Sequence, residues 1–300
     1  MNFLAKTSKG FKITDAFYII MMIVPLAFGI VLNVLTKPLA EGITLTGARV
    51  FFTIPMPWQD FLVSEAQINS ALVLVTLFFF CLYMTHGISE RIVLKRQHFA
   101  ELIVEKVDNL VTENMGVYFK SYSPFIIAIL ALSALSSLIS LLGLFPPTSD
   151  INVVAGWAIL VFMLITYYKF KCGPLYYLKG FTEPIPLLAP INFLSEFATP
   201  VSMSFRHYGN ILSGTVISTL IAAGLSGLSA ILLRFLPGFL SEIPWLQIGL
   251  PAVLSIYFDL FSGCLQAFIF AMLTMLNISG GFAIDEYEKR KLKKLAMKNN

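Results

Sequence analysis

Charged residues are scarce in this chain. Asp, Glu, Lys and Arg make up 13% of its 300 residues, whereas 57% of the residues are hydrophobic. Soluble globular proteins carry about 25% charged residues. So few charges cannot cover a water-facing surface, which excludes an ordinary soluble enzyme, a secreted scaffold and a disordered chain. The composition predicts a membrane protein that crosses the bilayer several times.

Cysteines, metal-binding patterns and nucleotide-binding motifs are also few or absent. Cys81, Cys172 and Cys264 lie in or beside apolar runs, so we expect free thiols rather than a disulfide framework. His98 and His207 have no ligand spacing around them, and no P-loop motif occurs. We therefore predict no metal and no cofactor. The net charge of +4 does not indicate a nucleic-acid partner.

Six apolar segments are long enough to cross a bilayer, which takes about 20 residues. They are 16–35, 68–88, 124–145, 152–170, a long tilted helix over 190–224 with more helix up to LPGF at 236–239, and 248–279. The sequence predicts an all-α polytopic membrane protein with two long C-terminal helices. The predicted parts are an N-terminal arm with the first segment and the start of an outer loop (1–48), a membrane domain (49–285) and a basic tail (286–300).

The first segment has two interpretations. Lys6, Lys9 and Lys12 precede it, as they would precede the apolar core of a signal peptide. Its apolar core is longer than the roughly 7–15 residues usual for such a peptide, and no clean small-residue cleavage site follows. These features favour a retained membrane anchor over a cleaved signal, and cleavage would leave the orientation of the other segments unchanged.

Basic residues predict the orientation of the chain. Segments 1–15, 89–121, 169–189 and 285–300 hold 17 of the 21 Lys and Arg residues, and the loops on the other side hold three. Because basic residues concentrate on the cytoplasmic side, both termini are predicted to be cytoplasmic. Apolar residues recur at helical spacing over 97–119, with charged residues between them. This pattern predicts an amphipathic helix on the cytoplasmic face, and a small soluble hairpin is the alternative.

A polar stripe runs along the fifth segment. Arg206 lies near its middle, although a charge costs about 2.5–3.5 kcal/mol in the membrane on insertion scales. Four polar residues share its helix face: Thr199, Ser202, Asn210 and Ser213. The alternative interpretations are that Arg206 snorkels or pairs with Asp259, and that each hydroxyl bonds its own backbone carbonyl. An ionisable residue at this depth favours a functional interpretation.

Two carboxylates lie at different depths on either side of Arg206. Asp259 shares a face of the sixth segment with Gln266, seven residues later, and lies about 10 Å outward of it. Glu196 precedes Arg206 by ten residues, about 15 Å nearer the cytoplasm, where plain surface exposure is the alternative interpretation. The sequence thus predicts an outer carboxylate, an inner carboxylate and a cation between them.

Two motifs resemble those of subunit a of the F-type ATP synthase. They are PVSMSFRHYGNILSG at 200–214 and LQAFIFAMLTMLNISGG at 265–281, with a weaker match at GLFPPTSDIN, 143–152. The resemblance covers roughly 50–285. It implies that Arg206 is the stator arginine, Asn210 its polar partner and Gln266 the glutamine opposite. Asp259 matches an ion half-channel position, whereas Thr215 departs from the family's usual Glu or His, and segment 16–35 is additional to the common five-helix form.

The resemblance also implies a function and partners. The chain would be a non-catalytic subunit with two offset half-channels that couple proton or sodium flow to rotation of a c-ring and to ATP synthesis. Its partners would be the c-ring, peripheral-stalk subunit b, other ATP synthase subunits and the lipid bilayer, in an energy-coupling membrane, with the bacterial plasma membrane expected. From the residues alone, a transporter moving an anion past Arg206 and a structural membrane scaffold remain open as alternatives.

Overall fold

The structure of the chain is a computed structural model. It describes residues 13–36, 47–57, 60–88, 95–182, 185–232, 246 and 249–298. Most of the predicted N-terminal arm, part of the first outer loop, and the predicted helix end at 236–239 lie outside the described residues.

Six helices of the described part are long and apolar enough to span a membrane, as predicted. They are α1 (Ile13–Thr36), α2 (Glu65–Thr85), α4 (Ser123–Leu138) within the helical run Val117–Leu142, α5 (Ile151–Cys172), α7 (Ala189–Leu232), and the final run Ala252–Gly280. The final run contains the end of α8 (Leu250–Ser255), a π-helical segment (Ile256–Ser262) and α9 (Gly263–Gly280). The long tilted helix predicted over 190–224 and the further helix predicted after it form one continuous helix, which the structure describes as far as Leu232.

Shorter elements lie at both ends of the bundle. One end, called the Gly280 end, carries α3 (Lys95–Met115), α6 (Pro174–Thr182) and α10 (Ile284–Lys298). The other, the Leu142 end, carries an antiparallel hairpin of β1 (Val50–Ile54) and β2 (Phe61–Ser64), which the sequence analysis did not predict. The predicted amphipathic helix is α3, and Val111 and Met115 on its apolar face are buried in the bundle.

Local sequence explains where several helices begin and end. The Asp150 carboxylate accepts a hydrogen bond of 2.9 Å from the Asn152 backbone N–H and so caps the start of α5. Gly116 follows α3 with φ +85°, a conformation that costs residues with a side chain more than it costs glycine. These signals lie next to the apolar runs, which is why the helix bounds differ from the predicted ones by only a few residues at most places.

The main core lies at the centre of the bundle. Its fully buried large side chains include Phe119, Ile126, Val161, Phe270 and Met275, which come from α4, α5, α9 and the turn before α4. Most other apolar side chains of the membrane helices point outward, as expected where lipid or a membrane partner surrounds the bundle. Against this core, α9 is packed on several sides, whereas α7 lies at its edge and leaves one face uncovered.

Candidate functional site

The helix α7 crosses the final membrane run in an antiparallel direction. Contacts along the crossing pair Gly214 with Phe258, Asn210 with Ser262, His207 with Phe270 and Met203 with Asn277. A Cβ atom on Gly214 would lie 2.8 Å from the Phe258 ring, so glycine permits this close approach. The crossing fixes the relative depth of the candidate residues on the two helices.

Asn210 is joined to the final run by a reciprocal contact. Its Nδ2 donates to the Ser262 Oγ at 2.8 Å, and the Ser262 hydroxyl lies 3.1 Å from the Asn210 Oδ1. Ser262 was missed by the sequence analysis, although it lies four residues before Gln266 on the same helix face. Because the helices are antiparallel, Arg206 and Gln266 each lie one turn, about 6 Å, from this contact and at the same depth. Gln266 itself is buried.

Arg206 lies on the uncovered face of α7. Its side chain is exposed, and within the described part of the chain it forms no salt bridge or hydrogen bond. The alternative pairing with Asp259 is therefore not formed. Ser202 and Ser213 are exposed on the same helix. The polar stripe is thus split, with Asn210 turned toward the bundle and Arg206 turned away from it.

Three of the candidate hydroxyls of α7 bond their own helix. Ser213 donates to the Asn210 carbonyl at 3.1 Å, Thr215 to the Ile211 carbonyl at 3.0 Å, and Thr199 to a carbonyl four residues earlier at 3.4 Å. These bonds agree with the alternative interpretation, in which each hydroxyl bonds a backbone carbonyl of its own helix. Thr215, which stands where the resemblance expects an ionisable residue, uses its hydroxyl for a bond within its own helix.

Behind Arg206, the buried face of α7 is anchored by His207. Its Nε2 lies 3.4 Å from the Ser133 hydroxyl, and its ring packs against Trp157 and Phe270 with centroids 6.0 and 5.6 Å away. The described residues contain no group of three His, Cys, Asp or Glu side chains that could hold a metal ion. His207 therefore holds α7 against α4, α5 and α9, so that Arg206, the next residue, projects from a fixed backbone.

Asp259 lies in the π-helical segment of the final run. Its carboxylate is half-buried, within hydrogen-bonding reach of the hydroxyls of Ser140 and Ser255. Neither serine was singled out in the sequence, since Ser140 belongs to a separate turn after α4. Single π-helical turns occur frequently at functional sites because they re-aim one side chain within a helix. Asp259 is next to Phe258, which contacts Gly214 of α7. Because Gly214 lies eight residues after Arg206, Asp259 is at a depth about 12 Å from Arg206 toward the Leu142 end.

Glu196 lies on the opposite side of Arg206, toward the Gly280 end. Its carboxylate forms a 2.6 Å salt bridge with the Lys169 Nζ, and only 9% of the side chain is exposed. The plain surface-exposure interpretation of Glu196 is therefore wrong, because α5 and α6 cover the carboxylate. Burial, together with the negative charge of Glu196, raises the pKa of Tyr177 to about 12. Lys169 and Tyr177 were missed, since no spacing in the sequence links them to Glu196.

Two adjoining cavities surround Glu196. One has a volume of about 350 Å³ and includes Tyr177 and Gly280 in its lining, and the other has about 220 Å³ and reaches Thr199. Both are lined by Glu196 and Lys169. Together they form a polar recess from the Gly280 end toward Thr199, about 10 Å short of Arg206 along α7. Arg206 therefore lies between two separate groups of polar side chains. The Glu196 recess lies toward the Gly280 end, and Asp259 with its two serines lies toward the Leu142 end.

Comparison with known proteins agrees with this geometry. The family described as ATP synthase A chain matches residues 68–279. The chain is 28% identical over 283 residues to the sodium-ion-specific ATP synthase subunit a of Propionigenium modestum, covering 84% of this chain and 89% of that protein. It is 34% identical over 189 residues to ATP synthase subunit a 3 of Pelobacter propionicus, covering 61% and 73%, and 32% identical over 199 residues to the subunit of Bacillus pumilus, covering 62% and 78%.

Proposed function

Because the chain belongs to the ATP synthase A chain family, the ion-translocating stator subunits of the F-type ATP synthase, we propose that Arg206 is its ion-gating cation. The family excludes the transporter and scaffold interpretations that the residues alone left open. The chain is an integral multi-pass membrane protein whose partners are other ATP synthase subunits.

The exposure of Arg206 carries the proposal. An unpaired guanidinium facing lipid would cost several kcal/mol, on the order of 3 kcal/mol on insertion scales. A carboxylate supplied by another chain would remove that cost, because it offers both an opposite charge and a bidentate acceptor. The uncovered face of α7 also exposes Val201 and Phe205, so a partner there would be an apolar membrane helix bearing a carboxylate. We assign this partner as the c-ring rotor.

The fixed cation would work by favouring the ionised form of each passing rotor carboxylate. A carboxylate that reaches Arg206 releases its proton or sodium ion, because the guanidinium stabilises the negative charge. The same positive charge repels a free cation, so ions could not pass directly between the two access routes. Asn210 lies one turn from Arg206, and Gln266 lies at the same depth as Arg206. Both would orient the exchange without carrying charge.

The two carboxylates of this chain would line separate access routes. The Glu196 recess, with Lys169, opens at the Gly280 end, while Asp259 with Ser140 and Ser255 lies toward the Leu142 end. Ser202 and Ser213 are exposed beside Arg206 and would face the rotor. Each route would end at the depth of Arg206, so that ions would have to pass through the rotor. In this arrangement Asp259 carries the outer route without help from Thr215.

Orientation follows from the distribution of basic residues. The Gly280 end carries α3, α6 and α10, which belong to the segments holding most of the Lys and Arg residues. The positive-inside rule places this end, and both termini, in the cytoplasm. The membrane would be the bacterial plasma membrane, and subunit b of the peripheral stalk would contact the same complex.

We also propose that α1 is retained as part of an N-terminal region, 1–48. A Cβ atom on Gly29 would lie 2.8 Å from a Leu72 methyl carbon, and the Asn33 Nδ2 donates to the Gly143 carbonyl at 2.7 Å. At the other end, Arg96 pairs with Asp15. The expected intact mass of the purified chain is 33.4 kDa, and a mass lower by the first 35 residues would show cleavage.

Substitution of Arg206 tests the gating proposal. Arg206→Ala in the purified complex, reconstituted into vesicles, is expected to reduce ion-driven ATP synthesis about 100-fold or more, because the guanidinium would no longer stabilise the ionised rotor carboxylate. Passive ion leak should rise, since the cation also separates the two routes. Leu194→Ala, an exposed apolar position on the same helix, is the control and should leave both quantities unchanged. Unchanged synthesis in a fully assembled Arg206→Ala complex would refute the role of Arg206.

A further inference from the structure

A basic cavity lies at the Gly280 end, away from the ion site. It has a volume of about 410 Å³ and is lined by Phe170, Lys171, Tyr287, Arg290 and Lys291. The residues come from the last turn of α5 and the first two turns of α10, and three of the five are cationic. Volumes of about 300–1,000 Å³ are typical of small-ligand sites. We call it the α5–α10 cavity.

The first cation, Lys171, is held in place by aromatic rings. Its Nζ lies 5.4–6.0 Å from the ring centroids of four tyrosines and 3.5 Å from the Tyr118 hydroxyl. The tyrosines are Tyr118, Tyr167, Tyr168 and Tyr287. Cation–π contacts of this kind fix the ammonium group without neutralising it. Lys171 therefore presents a positioned and uncompensated charge to the cavity.

The second cation, Arg290, fits beside a glycine. A Cβ atom on Gly173 would lie 3.1 Å from the Arg290 Nη1, so the missing side chain leaves room for the guanidinium. Among described carboxylates, none forms a salt bridge with Lys171, Arg290 or Lys291. The nearby Glu286 is paired with Lys289 at 3.0 Å instead. The positive charge of the cavity is thus available to an anionic ligand.

The position of the cavity indicates which anion it meets. α5 is a membrane-spanning helix that ends at Cys172, and α10 begins four residues after the final run ends at Gly280. The cavity therefore lies where the hydrocarbon layer gives way to headgroups, a depth at which tyrosines are enriched. Phe170 offers an apolar wall on the membrane side. Basic pockets between helices at this depth suit lipid phosphates.

We propose that the α5–α10 cavity binds the phosphate of an anionic phospholipid, whose acyl chains run along the outside of α5 past Phe170. The bound lipid would join α10, which follows the last membrane helix, to the end of α5. No covalent step is involved, and the site is separate from the Glu196 recess. The proposal is independent of the role assigned to Arg206.

Lipid binding to the purified full chain tests this proposal. Phosphatidylglycerol is titrated into the chain in a neutral detergent, and bound lipid is counted by native mass spectrometry. Arg290→Gln combined with Lys291→Gln should weaken binding roughly 30-fold, because each of the two cations contributes about fivefold to the binding of an anionic lipid. Lys171→Gln should add a further loss of about fivefold. Lys289→Gln removes an equal charge from the same helix outside the cavity and should leave binding unchanged.

Two further binding measurements identify the ligand. Phosphatidylcholine should bind at least tenfold more weakly, because it has no net negative charge, and inorganic phosphate at millimolar concentration should not displace phosphatidylglycerol. Equal binding by the wild type and the Arg290→Gln/Lys291→Gln variant would overturn the proposal, as would full displacement by inorganic phosphate. The double substitution spares the tyrosine cluster, and an unchanged unfolding temperature would confirm that the variant folds.

Discussion

The two membrane helices that carry most of the candidate site are buried to very different extents. In the most apolar 18-residue stretch of the α7 span, 6% of the residues are buried, compared with 28% in the final run. Gln266 of the final run is enclosed by this chain, and Asp259 is half-enclosed, whereas Arg206 of α7 is not. The final run is therefore positioned by intrachain packing, whereas the Arg206 face of α7 is the one that we propose a partner completes.

This difference shows how one chain can serve as a fixed surface for a moving one. A rotating partner needs a face that does not interlock with it, so the contacts that hold α7 must lie on its other side. His207, Gly214 and Asn210 supply those contacts, because each meets α4, α5 or the final run. The contrast between the two faces can be tested by substituting residues on each.

The largest stability effect is expected where α7 touches the final run. Gly214→Ala should lower the free energy of unfolding by about 1–3 kcal/mol, because the added Cβ would lie 2.8 Å from the Phe258 ring and force the helices apart. At Gly209→Ala, on the same helix, no described atom other than the backbone of α7 itself lies within 4 Å of the added Cβ. This substitution should be neutral or stabilising by up to about 1 kcal/mol, since alanine is the better helix former.

Denaturant unfolding of the two purified variants measures this difference. If Gly214→Ala were as stable as Gly209→Ala, then α7 would not be held at this crossing. The shared depth of Arg206 and Gln266 would then lose its basis, because that depth depends on the contact between Asn210 and Ser262.

The parts that sequence could predict are the local ones. The apolar runs predict the six spans, and helical periodicity predicts the polar stripe around Arg206, because both depend on spacing along one segment. Asn210 is different, since a stripe does not reveal that one member turns inward. Ser262 was within reach of the same reasoning, since it lies one turn before Gln266.

The parts that sequence could not predict depend on contacts between segments. Lys169 was counted only as a cytoplasmic charge, and its pairing with Glu196 follows from the packing of α5 on α7. Ser140 reaches Asp259 from a turn after α4, and the π-helical geometry of Ile256–Ser262 has no period in the sequence. The hairpin of β1 and β2 was missed because its burial pattern does not alternate regularly.

An intermediate effect is expected at the Glu196 recess, where α7 is covered by its own chain. Lys169→Gln should lower the free energy of unfolding by about 1–2 kcal/mol, because it leaves the largely buried Glu196 carboxylate without its cation. Adding Glu196→Gln should recover much of that loss, since removing both charges costs less than leaving one. A double-mutant cycle on unfolding measures the coupling.

The exposed pair of Lys289 and Glu286 is the control for this cycle. Both side chains face water, so Lys289→Gln should cause no measurable change. Strictly additive effects of Lys169→Gln and Glu196→Gln would show that the 2.6 Å salt bridge does not stabilise the recess.

The smallest effect is expected at Tyr177 of α6, whose hydroxyl interacts with the Glu196 carboxylate. Tyr177→Phe should cost about 1 kcal/mol at pH 8. The pKa of Tyr177 is raised to about 12 by burial and by Glu196, so the folded chain holds this proton more tightly than the unfolded chain, whose tyrosines titrate near about 10. The stabilisation is therefore complete below about pH 10 and is lost toward about pH 12. Unfolding measured from pH 8 to 11 should show the gap between wild type and Tyr177→Phe narrowing as pH rises, and a constant gap would mean that Tyr177 is not held in this way.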